Sequence, residues 1–213
     1  MHKKLQQRIK EVYTACAEFP KPVDINSCEC CHTEEQKNLL VSVSLDSLTC
    51  DQLVDFVISA FNTIGDADTF LYFTPRILEL AFTNYQDFDC DIGLLGHKLY
   101  QSRFWERNKR LQTSIDAALL AHFEHQVLQD TDWNYELCEW VCCVGNATPN
   151  IEPFLDLLFD SEYFKKFYDS EHQHAMKGKL GDAFWEKNHG NRDKIVRWLL
   201  SSASQARYWS FHQ

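Results

Sequence analysis

Apolar residues recur at intervals of three and four through residues 46–83, and this spacing limits the possible folds more than any other feature of the chain. Gly65 separates two such stretches and is predicted to end the first helix in the left-handed conformation. Asp66 or Asp68 is expected to cap the second helix, and Pro75 to kink it or split it in two. The segment therefore predicts a helix hairpin with a turn of about two or three residues. The apolar positions that define it are Leu48, Leu53, Phe56, Val57, Ala60 and Phe61, then Phe70, Phe73, Ile77, Leu78 and Ala81.

A weaker copy of this hairpin is predicted over residues 133–159, where Gly145 is expected to end the first of two helices. The chain contains only seven glycines and five prolines among 213 residues, too few turn-forming residues for an all-β protein. We therefore predict an all-α fold of stacked antiparallel helix hairpins that resembles a right-handed solenoid of HEAT repeats. Because no low-complexity linker interrupts the sequence, residues 1–213 are predicted to form a single domain.

The N-terminal residues bear on where the protein is located. Basic residues begin the chain, but they are not followed by the continuous apolar run of about 7–15 residues that a secretory signal requires. No run of about 18 apolar residues suited to a membrane helix occurs either. We therefore expect a cytoplasmic protein without a membrane partner. The nine cysteines are then expected to be reduced or metal-bound rather than paired in disulfides.

Negative charge is concentrated in residues 23–100, which contain thirteen acidic and three basic residues. Such a segment repels phosphate groups, so we expect no nucleic-acid partner. It favours a basic protein partner, which an acidic surface attracts before contact, although acidic surfaces also serve simply to keep proteins soluble. The candidate binding residues are Asp46, Asp51, Asp55, Asp66, Asp68, Asp87, Asp89 and Asp91.

Three cysteines and a histidine lie within the five-residue motif from Cys28 to His32. Its C-x-x-C-H spacing also occurs at c-type haem attachment sites, but these require export, and no signal sequence is evident. Thiolate and imidazole are preferred zinc ligands, and Cys28 with Cys31 has the spacing of a zinc knuckle, to which Cys30 or His32 would add a ligand. The alternatives are reduced, partly buried thiols and a redox sensor. Reduced thiols without a cofactor are the favoured expectation, and zinc is the one cofactor that the sequence suggests as an alternative.

We find no recognisable set of catalytic residues in the sequence. His122 and His125 are one helical turn apart, but His122 falls on the apolar stripe of a predicted helix and is expected to lie in the core. The chain has no glycine-rich phosphate loop, no dinucleotide-binding fingerprint and no G-x-S-x-G motif.

Three elements occur together in about residues 20–85: the C-x-x-C-H motif of Cys28–His32, the Gly65-Asp66 turn, and the sequence F-x-x-F-x-P-R-I-L-E-L from Phe70 to Leu80. In this combination the chain resembles a group of bacterial proteins of uncharacterised function. The resemblance implies that the cysteines and the Pro-Arg helix belong to one structural unit, and it supplies no catalytic residues. This chain departs from the pattern by its additional Cys30 and by Thr74 before the proline.

These observations together favour a non-enzymatic, protein-binding module. The specific prediction is a bacterial immunity protein that binds a basic, secreted toxin domain and occludes its active site. Two alternatives use the Cys28–His32 cluster instead: a zinc-dependent enzyme, and an adaptor whose fold zinc stabilises.

Overall fold

A computed structural model describes residues 2–83, 87–128, 137–187 and 190–213. It is all-α, as predicted, and the described residues contain isolated β-bridges but no strand. None of the described helices is both long enough and apolar enough to cross a membrane. The helices are α1 (Lys3–Cys16), α2 (Glu34–Ser42), α3 (Cys50–Ser59), α4 (Ala67–Thr83), α5 (Ile92–Ser102), α6 (Phe104–Arg107), α7 (Lys109–Leu128), α8 (Leu137–Ala147), α9 (Glu152–Asp160), α10 (Tyr163–Ala175), α11 (Asn191–Leu199) and α12 (Ser202–Ser210), with short 3-10 helices at Leu45–Ser47 and Ala183–Lys187.

The chain divides into two compact units. The N-terminal unit comprises residues 1–91 and 98–121, and the C-terminal unit comprises residues 92–97 and 122–213. The predictions of one domain and of a HEAT-like solenoid remain predictions.

The core of the N-terminal unit forms where α1 and α3 pack against α4. The apolar stripe of α1, which includes Leu5, Ile9 and Val12, is fully buried. From α3, the Phe56 ring contacts Phe73 of α4 at a centroid distance of 4.9 Å, edge to face. The predicted hairpin of residues 46–83 is therefore present, because its apolar positions meet across the α3–α4 contact.

The connection between α3 and α4 is longer than predicted, and Gly65 does not end α3. The helix ends at Ser59, and the chain continues through Phe61, which has a positive φ of 65°, before it reaches Gly65 at φ 67°. The physical reason is the intervening Ile64, which is buried and forms β-bridges that fold this connection back on itself. Asp66 caps α4 as predicted, because its Oδ1 accepts a hydrogen bond from Thr69 N at 2.8 Å.

Helix α4 runs without interruption through Pro75, so of the two predicted effects of the proline, a kink or a split, the split does not occur. Pro75 has no N–H and leaves the carbonyl of Leu71 without its usual helical donor. The neighbouring Thr74 hydroxyl donates to the carbonyl of Phe70 at 2.9 Å, one residue earlier in the same turn. All these residues are buried, and tertiary packing thus holds the helix together around the proline.

In the C-terminal unit, Gly145 lies inside α8 rather than at its end, which corrects the second hairpin prediction. A Cβ at Gly145 would stand 2.5 Å from the Trp185 ring, so the glycine provides room for that ring. Gly96 of α5 lets the backbone of α5 approach that of α8 closely. A Cβ added at Gly96 would lie 2.4 Å from the backbone of Cys143. Helices α8 and α9 cover most of the predicted range 133–159, of which residues 133–136 lie outside the described residues.

The C-terminal helix α12 packs against α10 of the same unit. The ring of Tyr208 stacks on Tyr168 at a centroid distance of 4.5 Å, which anchors the helix. The adjacent Trp209 remains 63% exposed.

Candidate functional sites

The loop between α1 and α2 carries the cysteine motif and is fastened to the α3–α4 connection. The buried side chain of Ile25 anchors the loop. Two backbone hydrogen bonds follow, from Gly65 N to Asn26 O and from Cys28 N to Thr63 O, both at 2.8 Å. The cysteines therefore lie on a loop whose path is set by the first hairpin.

The thiols of Cys28, Cys30 and Cys31 form one cluster at the surface. The Sγ atoms of Cys28 and Cys30 are 2.8 Å apart, and those of Cys30 and Cys31 are 3.7 Å apart. All three sulfur atoms lie within 4.8 Å of one another, and this group can hold a metal ion. Cys30 is not part of the C-x-x-C pattern formed by Cys28 and Cys31, but its sulfur contacts both of the others and is the central member of the cluster.

His32 belongs to the same motif but makes a different contact. Its Nε2 atom lies 2.9 Å from the Oγ1 atom of Thr63, in the α3–α4 connection. The next residue, Thr33, begins α2 with a capping box, in which its side chain and that of Gln36 each satisfy the other's backbone N–H. The motif therefore separates into three clustered thiols and one anchoring imidazole, and a helix cap follows it at Thr33.

The thiols in the cluster influence one another's ionisation. Hydrogen bonds from the Cys30 side chain and backbone, followed by those from Cys31, lower the pKa of Cys28. The same contacts raise the pKa of Cys30 to about 11, because its proton is shared with Cys28 and Cys31. One thiolate hydrogen-bonded to neighbouring thiols is thus the favoured state as the cluster begins to ionise.

Cysteines elsewhere in the chain have a different environment. Burial raises the pKa of Cys16, Cys90 and Cys138 to about 12 in each case. Cys142 and Cys143 are fully buried on α8.

His122 lies in the core of the C-terminal unit, as predicted. It is 2% exposed, and its ring lies 4.3 Å from the ring of Trp140 between centroids. Desolvation lowers the pKa of His122 to about 3, with a smaller contribution from His125. The imidazole is therefore neutral at neutral pH.

All eight aspartates that the sequence marks as candidate binding residues are exposed. Two of them also have structural roles, since Asp66 caps α4 and Asp68 forms an ion pair with Arg107 at 2.7 Å. Asp46 accepts a hydrogen bond from Ser47 at 3.4 Å, and its pKa is lowered chiefly by a hydrogen bond with Ser44. The predicted carboxylates are therefore in contact with solvent, but Asp46, Asp66 and Asp68 also form hydrogen bonds or an ion pair within the chain.

Two of these aspartates converge near the start of α3. Asp51 and Asp87 line a cleft of about 370 Å³ together with Thr49 and Cys50. Burial raises the pKa of the Cys50 thiol, and the carboxylates of Asp87 and then Asp51 raise it further. Asp55 is exposed one turn after Asp51 on the same helix. Asp51, Asp55 and Asp87, here called the acidic triad, form no ion pair within the described part of the chain.

The three basic residues of the segment 23–100 make their hydrogen bonds and ion pairs with groups other than the acidic triad. Lys37 forms an ion pair with Glu34 at 2.5 Å. Lys98 is 1% exposed, and its Nζ atom donates to the carbonyl of Ala60 at 2.6 Å.

The third basic residue, Arg76, takes part in a network that the sequence did not reveal. Its guanidinium donates to Glu79 and to the carbonyl of Leu48, each at 2.8 Å. Tyr13 of α1 donates to the same Glu79 carboxylate at 2.8 Å. Arg76 and Glu79 are three residues apart on one helix, whereas the contact of Glu79 with Tyr13 spans 66 residues of sequence and depends on packing.

Neither a protein-family model, nor a curated protein, nor a solved structure matches this chain. The resemblance to a bacterial group therefore remains a prediction from its motifs.

Proposed function

We propose that the protein is a non-enzymatic binding module whose acidic N-terminal unit engages a basic protein. The observation that carries this proposal is the distribution of charge over the exposed surface. Eight aspartates between residues 46 and 91 are exposed, while Lys37, Arg76 and Lys98 make their hydrogen bonds and ion pairs with groups other than these carboxylates. A surface with such an excess of carboxylates attracts a cationic partner and orients it before contact.

The acidic triad is the part of this surface best suited to binding. Asp51 and Asp87 face one cleft, so a lysine or arginine side chain placed there would meet two carboxylates. Asp55, one turn further along α3, adds a third carboxylate to this negatively charged surface. Aspartate side chains are short, so a partner's cation would meet them at little cost in side-chain entropy.

The biological role that we propose is immunity: a cytoplasmic protein of a bacterium that covers the active site of a basic toxin domain. Such an inhibitor needs a complementary surface and no catalytic residues of its own. The other functions suggested by the sequence, a zinc-dependent enzyme and a zinc-stabilised adaptor, require a metal at Cys28–His32 and remain predictions.

The test is to search the genes adjacent to the one for this protein for a basic toxin domain, and to measure its association with the purified protein. In the variant Asp51→Asn/Asp55→Asn/Asp87→Asn, association at low salt should slow by about tenfold, because electrostatic attraction acts mainly on the association rate. Raising the salt concentration should reduce the difference between the two proteins.

A matched control removes three exposed carboxylates from the C-terminal unit: Asp156→Asn/Asp160→Asn/Glu162→Gln. Both variants lose the same net charge, so a general charge effect would slow them equally. The proposal requires that only the acidic-triad variant slows. Equal rates for the two variants, or no complex with the toxin domain, would refute it.

A further inference from the structure

The thiol cluster has the dimensions of a metal site. Thiolates bind zinc at about 2.3 Å, which places two sulfur ligands of a tetrahedral ion about 3.8 Å apart. The 3.7 Å between the sulfurs of Cys30 and Cys31 already fits this value. The 2.8 Å between those of Cys28 and Cys30 would have to open by about 1 Å, which side-chain rotation at the surface allows.

The backbone around the cluster is held before any ion binds. The N–H groups of Cys31 and His32 both donate to the carbonyl of Cys28, at 3.0 and 3.1 Å, and close a tight turn. Cys28 N is bonded to Thr63 O on one side, and the capped start of α2 follows on the other. Ion binding would therefore order mainly three side chains, which keeps its entropic cost low.

We propose that Cys28, Cys30 and Cys31 bind one thiophilic d10 ion, Cu(I) or Zn(II), through three thiolates. Soft sulfur ligands select these ions over the hard cations that prefer oxygen. Binding forms three metal–sulfur bonds and releases the thiol protons to solvent. Cu(I) would be satisfied by three thiolates, whereas Zn(II) would take a fourth ligand, such as water, from the solvent side.

His32 is not a ligand in this proposal, in contrast to the zinc site that C-x-x-C-H spacing suggests. Its imidazole lies against Thr63, and it is not part of the group of ligand atoms within 4.8 Å of one another. Cys30, by contrast, contacts both of the other thiols. The site is independent of the acidic triad, so either proposal can fail alone.

The experiment titrates the fully reduced chain with Zn(II), and separately with Cu(I), in the absence of oxygen. Binding is followed by thiolate-to-metal charge-transfer absorption for Cu(I) and by competition with a chromogenic chelator for both ions. We expect one ion per chain. Each of Cys28→Ser, Cys30→Ser and Cys31→Ser should weaken binding by about 100-fold or more, because loss of a ligand exceeds the effect of outer-shell changes.

Two control variants distinguish the loss of a metal ligand from other effects of mutation. Cys138→Ser removes a thiol of the C-terminal unit whose Sγ lies 3.5 Å from Ser170, and it should leave the affinity unchanged. His32→Ala should weaken binding by less than about tenfold, and far less than any of the three cysteine variants, because it removes an anchor and no ligand. Melting curves check that every variant folds.

Binding of either ion through the three thiols supports the proposal and identifies the ion that fits. The proposal is overturned if neither ion binds more tightly than to the triple serine variant. It is also overturned if His32→Ala abolishes binding as completely as Cys31→Ser, or if Cys30→Ser binds as tightly as the unaltered protein. A Cys28–Cys30 disulfide that persists in reductant would overturn it as well.

Discussion

Two groups of cysteine and histidine residues in this chain carry the same chemical groups in opposite environments. In the N-terminal unit, Cys28, Cys30, Cys31 and His32 lie in a surface loop, where the thiols contact one another. In the C-terminal unit, His122 of α7 and Cys142 and Cys143 of α8 are buried among apolar side chains. The thiols of the first group are accessible and lie close enough together to form a candidate metal site, whereas the second group contributes to packing.

The comparison shows that surroundings, and not residue type, decide whether such groups are reactive. Desolvation favours the neutral form, which is why it lowers the pKa of His122 to about 3. In the loop, hydrogen bonds between thiols lower the pKa of Cys28 instead. The predictions below test the buried group against the exposed one, beginning with the largest effect.

Gly96→Ala should destabilise the protein by about 3 kcal/mol, because the new Cβ would overlap the backbone of Cys143, which has no room to move. Alanine normally stabilises a helix interior by about 1 kcal/mol relative to glycine, so the sign of the change is itself informative. Urea unfolding gives the measurement. Gly145→Ala should cost less, because its Cβ meets the Trp185 side chain rather than backbone. The close approach of α5 to α8 would be refuted by a stable Gly96→Ala protein.

The stability of the protein should fall as the pH is lowered below the unfolded pKa of His122, about 6.5. The unfolded chain then binds a proton that the folded chain, with a pKa of about 3 at His122, does not bind. The contribution of the neutral His122 to the free energy of unfolding is therefore fully present above about pH 6.5. The free energy of unfolding should decline by about 2 kcal/mol when the pH is lowered to about 5. Unfolding free energies measured across this range test the expectation.

Replacing the imidazole should remove that decline. His122→Leu is expected to flatten the profile between about pH 6.5 and 5, since it has no proton to bind. The control His212→Ala changes an exposed histidine near the C-terminus and should keep the slope of the unaltered protein. A slope that survives in His122→Leu would contradict the assignment.

Serine substitutions should distinguish the two cysteine groups directly in the absence of metal. Cys143→Ser places a hydroxyl in a fully buried position and should cost about 1–2 kcal/mol. Cys30→Ser changes an exposed residue and should alter stability by less than about 0.5 kcal/mol. Thermal melts of both variants in chelator provide the measurement. Equal losses in the two variants would remove the distinction between a packing group and a surface group.

Local patterns in the sequence predicted the helices and their caps well. Thr33 and Thr49 both begin helices with capping boxes, because the side chains involved lie within four residues of each other. The apolar spacing also placed His122 on a buried helix face. Predictions failed where a glycine was interpreted from its neighbours alone, since Gly145 makes room for Trp185, which lies forty residues away in sequence.

The candidate sites were only partly predictable, because their contacts also join residues that are distant in the sequence. The eight aspartates could be named from charge counts, and all are exposed. The sequence did not show that Lys98 is buried against Ala60, or that Tyr13 joins Arg76 and Glu79. These contacts join residues far apart in the chain, and no local spacing encodes them.

The sequence by itself determined that this chain is helical, where its main helices lie, which segment carries the negative charge and which loop carries the thiols. Each of these properties depends on residues within a few positions of one another. Only the tertiary structure decided that Cys30 joins Cys28 and Cys31 while His32 bonds to Thr63. The reason is physical: the loop is positioned by hydrogen bonds to the α3–α4 connection, and those bonds exist only once α3 and α4 have packed.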